Sequence, residues 1–146
     1  MFKVLSVNDN DWDNSVANFA NGDIYYDKSY YKALEEYLDA KIVLLYYENN
    51  NARVCEVVQI NDISKFGPLS KDVKPNTWFD LETPYGYGGP LSENVDEEEL
   101  NNYFNLKQKW AKEHNIVSEF IRYNPLEQNH VQANKDISLV NVKSTI

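Results

Sequence analysis

Hydrophobic positions along this chain recur with two different periods, and the switch between them predicts the order of its elements. Residues 2–7 (FKVLSV) read as an opening strand. Trp12, Val16 and Phe19 then follow at helical spacing. Asn8 or Asp9 stands ahead of them as a cap, and Asn21-Gly22-Asp23 as a stop. Asp27 or Ser29 opens a second helix with Tyr31, Leu34, Tyr37 and Leu38 as its stripe. Residues 42–47 are a continuous apolar run of strand length, 48–51 a turn, and 53–60 a second strand. Asparagine tolerates left-handed backbone, so the pair predicts a hairpin. Both strands are apolar on both faces, which places them at a sheet centre covered on each side.

Residues 64–76 form a loop containing Gly67-Pro68 and Pro75. The 78–83 segment alternates, with Trp78, Asp80 and Glu82 on one face and Phe79, Leu81 and Thr83 on the other. The longest helix spans 96–114, with Leu100, Tyr103, Phe104, Trp110 and Ala111 on one stripe. Lys107 falls inside that stripe and is expected to snorkel, stem packed and ammonium outside. Asn115 ends the helix, 116–123 is a strand, Asn124-Pro125 breaks it, and 126–136 is polar and irregular. Residues 137–146 read as a strand that runs to the last residue, so the chain is expected to be cut from something longer. The order implies an α/β fold, a mixed central sheet flanked by helices in a single domain over residues 1–146. The hairpin supplies antiparallel neighbours, and the late helix a crossover between parallel strands.

Charge narrows the partners. Twenty-three acids against fourteen bases leave −9, which argues against direct nucleic-acid binding and against an anionic membrane surface. No apolar span reaches the ~18 residues of a membrane helix, and the N-terminus meets acids too early for a signal peptide. The single cysteine, Cys55, excludes an internal disulfide; lying in an apolar strand pattern, it is expected to be a buried thiol in a cytoplasmic protein. His114 and His130 have no neighbouring ligand set, so no metal site is expected.

Candidate chemistry concentrates in 84–90 (PYGYGGP), between a strand and an acidic helix start. Glycines there permit close approach of a ligand to the backbone, although Glu93 and 96–99 compete with a phosphate for the helix dipole. The rings of Tyr85 and Tyr87 flank Gly86 as one wall of a groove, and a rigid surface turn is the plainer alternative. Asp80 and Glu82 share a strand face, where two carboxylates either divide into acid and base or form a solvated surface. Arg122, at a strand end, is placed for an anion contact or an ion pair with one of the acids.

The stretches 84–91 (PYGYGGPL), 117–129 (VSEFIRYNPLEQN) and 23–31 (DIYYDKSYY), with Trp110-Ala111-Lys112 ending the helix between the first two, resemble acyltransferases of the Fem type. These are peptidoglycan-bridge aminoacyltransferases and their relatives in surface-polysaccharide clusters, built on the GNAT fold. The usual member has two GNAT-like halves, and this chain resembles the first. The resemblance implies transfer of an acyl group to an amine of a cell-envelope precursor, with a muropeptide or sugar-nucleotide substrate. It puts Tyr85, Gly86, Tyr87, Gly88, Gly89 and Arg122 at the substrate. The implied donor is coenzyme A or aminoacyl-tRNA. Thr83 stands where the acetyltransferase signature has Arg or Gln, and Gly88 where bridge-forming members have Arg, so no catalytic residue is carried over. A non-catalytic binding or assembly module, pairing with another copy through the final strand, is the alternative.

Overall fold

Among the described residues six strands, β1 (Phe2–Ser6), β2 (Lys41–Asn49), β3 (Ala52–Asp62), β4 (Phe79–Glu82), β5 (Leu91–Glu93) and β6 (Ile116–Phe120), form one mixed sheet in the computed structural model. Three helices, α1 (Asp11–Val16), α2 (Lys28–Leu38) and α3 (Glu97–Glu113), pack on it. The described residues are 1–17, 19–20, 22–38, 40–127, 129–132 and 138–140. The sheet runs β1-β2-β3-β4-β6, with β5 also paired to β3. Every pairing is antiparallel except β4 with β6, which is parallel across the α3 crossover.

The apolar hairpin lies at the centre, as its two-sided pattern requires. Leu44, Tyr46, Cys55 and Val57 face α1, α2 and the single turn Ile24–Tyr26, where Trp12, Phe19, Tyr26 and Tyr31 complete one core. Val43, Leu45, Val54 and Val58 face α3, where Tyr103, Phe104 and Trp110 complete the other. Cys55 is buried, and burial raises its thiol well above the usual value.

Side chains set the helix starts. The Asp27 carboxylate accepts the N–H groups of Ser29 and Tyr30, at 2.7 and 3.4 Å, and opens α2. Asp96 accepts the Glu99 N–H at 2.8 Å and opens α3. Asn50, at the hairpin, and Asn115, after α3, take the left-handed backbone their positions demand.

Two expectations change, and a third falls mostly outside the described residues. On α2, Tyr31 is buried but Tyr37 is 83% exposed, because six residues on it lies roughly 120° round the axis from Tyr31. Residues 84–90 do not lead into a helix; they lead into β5, and α3 starts only after the reversal at Asn94. The strand expected over 137–146 falls outside the described residues, apart from 138–140, which carry no strand.

β4 and β5 are two pieces of one edge. Gln59 pairs with Glu82 and Cys55 with Leu91, so 83–90 stand opposite 56–58 and leave the sheet as a bend. The chain after β6 stitches both ends of it. Thr83 N–H donates to Phe120 O, Arg122 N–H to Thr83 Oγ1, and Gly88 N–H to Arg122 O, each at 2.9 Å.

Candidate functional site

The bend brings Tyr85, Gly86, Tyr87, Gly88, Gly89 and Arg122 together, and its polar atoms are largely taken by the protein itself. Tyr30 donates its hydroxyl to Tyr85 O at 3.1 Å and Tyr26 donates to Gly89 O at 2.8 Å. Asn129 donates to Gly88 O and Pro90 O at 2.8 and 3.3 Å, while Arg122 Nη1 donates to Gly86 O at 3.0 Å. A Cβ on Gly86, at φ +107°, would meet the Tyr25 ring at 2.1 Å; one on Gly89, at φ +91°, would meet Tyr123 at 2.9 Å. The glycines admit the molecule's own rings. With the Gly88 N–H occupied and the α3 N-terminus displaced by β5, the bend does not fit a pyrophosphate. What it offers outward is the Tyr85 ring, 75% exposed, and the Tyr87 ring, packed edge-on to Tyr25.

Beside the bend lies a cleft of about 380 Å³ lined by Leu38, Ala40, Gln59, Ile60, Asn61, Asp62, Lys65, Phe66 and Glu82. The register explains its floor. Asn61 pairs with Asp80 and Gln59 with Glu82 on the antiparallel side, and Asp80 pairs with Ser118 and Glu82 with Phe120 on the parallel side. Directly paired residues share a face, so two carboxylates and two amides meet on one side of the sheet. Gln59 donates to Asn61 Oδ1 at 2.7 Å, and Asn61 donates to Glu82 Oε2 at 3.4 Å. Arg122 Nη2 lies 3.6 Å from Glu82, and its guanidinium 5.8 Å from the centre of the Phe120 ring. Burial, with Glu82 next to it, raises the Asp80 carboxyl against the opposing hydrogen bond of Asn61, and the Oδ1 oxygen is buried without a hydrogen-bond partner.

On the opposite face the structure corrects the reading of Lys107. Its ammonium does not reach solvent; it lies 2.6 Å from Glu56 and 2.7 Å from Glu119. The Tyr103 hydroxyl donates to Glu56 at 2.6 Å. Position 107 sits mid-stripe above the sheet centre, so the side chain has no short route outward, and Glu56 supplies the charge it needs there. Burial opposes the charge of Lys107, but Glu119 and Glu56 outweigh it and raise its affinity for the proton. Burial and Glu56 raise the Glu119 carboxyl, against the pull of Lys107. The Tyr123 hydroxyl, pushed up to about 12 by burial and Glu56, is enclosed without a partner.

Sequence reasoning placed Asp80 and Glu82 correctly on one face but did not find Gln59, Asn61 or Phe66 beside them. Nor did it find Tyr26, Tyr30 and Asn129 as clamps of the bend. Glu56 had a signal, as the lone acid in the apolar run 54–58. Among the described residues no group of three or more His, Cys, Asp or Glu is placed to hold a metal ion, and no helix is long and apolar enough to cross a membrane. Comparison of the chain with family models, with curated proteins and with solved structures gives no match.

Proposed function

We propose that this chain is an acyl- or aminoacyltransferase-like domain of GNAT-like plan that presents an amine of a cell-envelope precursor to an activated acyl group. The observation that carries the reading is the cleft beside the interrupted sheet edge, lined by Glu82, with Asp80 on the same strand face and Arg122 3.6 Å from Glu82. Strand, two helices, hairpin, strand, helix and parallel strand follow in the order the resemblance implies, and the cell-envelope substrate rests on the likeness of 84–91 and 117–129.

In the proposed reaction the amine nitrogen attacks the acyl carbon. A C–N bond forms, the ester or thioester bond breaks, and the nitrogen gives up a proton. Asp80 suits that proton, since its carboxyl is raised by burial and one oxygen is unpartnered. The remaining rate gain comes from holding the amine in line with the acyl group. The test is product formation from a nucleotide-linked muropeptide with acetyl-coenzyme A or an aminoacyl-tRNA as donor, followed by mass spectrometry. Asp80→Asn is expected to slow turnover by about 10²–10⁴-fold with an unchanged circular dichroism spectrum. Absence of product with both donors sinks the reading.

The second reading, a non-catalytic binding module, is favoured by the bend. Its Gly88 N–H already donates to Arg122 O, which leaves one donor fewer there for a developing oxyanion, and the carbonyls of Tyr85, Gly86, Gly88, Gly89 and Pro90 are taken by the protein itself.

A further inference from the structure

We infer that the cleft between α2 and β4 binds a saccharide. Its lining mixes donors and acceptors: the Gln59 and Asn61 amides, the Glu82 and Asp62 carboxylates and the Lys65 ammonium. Apolar side chains line it as well, from Leu38, Ala40, Ile60 and Phe66. A pyranose matches both at once. Its hydroxyls donate to carboxylates and accept from amide N–H groups, while its C–H face lies on a ring.

Other ligand classes fit less well. An anion meets two carboxylates, Asp62 and Glu82, against one ammonium, Lys65, and a wholly apolar ligand would strip all three of water. A simple alkylammonium satisfies Asp62 and Glu82 but gives nothing to the amide donors. The volume, about 380 Å³, lies within the range of small-ligand sites, roughly 300–1,000 Å³.

This inference uses the cleft of the transferase reading but concerns binding alone. The experiment is a ¹H–¹⁵N NMR titration of the full chain with diacetylchitobiose, with glucosamine and, separately, with n-butylamine. Either sugar is expected to shift the amides of Gln59, Asn61, Phe66 and Glu82. Phe66→Ala, at a half-exposed loop ring, and Asn61→Ala are each expected to weaken binding by about tenfold without changing the dispersion of the spectrum. Shifts with n-butylamine and none with either sugar would make the cleft an amine site and overturn the inference, as would no shift with any probe. Sugar binding without acyl transfer would sink the transferase reading and leave this one standing; transfer to a non-sugar amine, with no sugar shifts, would do the reverse.

Discussion

Lys107, on α3, holds its ammonium 2.6 Å from the carboxylate of Glu56 at the middle of β3, both side chains closed to solvent. The pair pins the crossover helix to the sheet, and with it the parallel pairing of β4 with β6. Lys107→Met removes the cation and leaves two facing carboxylates, Glu56 and Glu119. A loss of about 3–5 kcal/mol is expected in urea unfolding. Glu56→Gln combined with Lys107→Met should cost less than the sum of the single changes, because the two act as one unit.

Glu119 gives the cluster a pH signature. Its carboxyl is raised above the ordinary value of 4.5 by burial and Glu56, so the folded state binds that proton more tightly than the unfolded chain. The resulting stability is present below the unfolded value and is lost as pH rises through the folded one. Glu119→Gln, a mimic of the protonated form, should therefore gain stability relative to the unaltered chain as pH rises from about 4 to about 7. Paired thermal melts across that range check the sign.

The Asp27 cap behaves in the opposite sense. Hydrogen bonds from the Ser29 hydroxyl and from the Ser29 and Tyr30 backbone hold its carboxyl below 3.8 against the opposing effect of burial, so its contribution is present above the unfolded value and fades as pH falls through the folded one. Asp27→Ala should cost about 1 kcal/mol near neutrality. That difference should shrink in acid, as denaturant titrations at two pH values would show.

Gly86 tests the bend. Alanine there meets both a left-handed φ of +107° and the Tyr25 ring, and a loss of about 1–3 kcal/mol is expected in chemical unfolding. Tyr25→Leu in the same chain should recover the steric part and leave the backbone part.

Local order was legible in the sequence. The two-sided apolar runs gave the central hairpin, and the stripe from Leu100 to Ala111 gave α3 and its buried face. What depended on distant partners was not legible. Lys107 looked like a snorkelling residue because nothing near it in sequence shows Glu56 under it. Residues 84–90 looked like a strand-to-helix turn because the return of Leu91–Glu93 to β3 shows only in the register. The cleft escaped notice because Asn61 and Gln59 meet Asp80 and Glu82 only through strand pairing.

Ligand binding belongs to the cleft, while the bend is held shut by Tyr26, Tyr30 and Asn129. Calorimetric titration of a nucleotide-linked muropeptide into two double variants tests that most directly. Asp80→Asn with Glu82→Gln should weaken binding by about tenfold or more, while Tyr85→Ala with Tyr87→Ala should stay within about twofold of the unaltered chain. Loss of binding in the tyrosine pair with full binding in the carboxylate pair would contradict it.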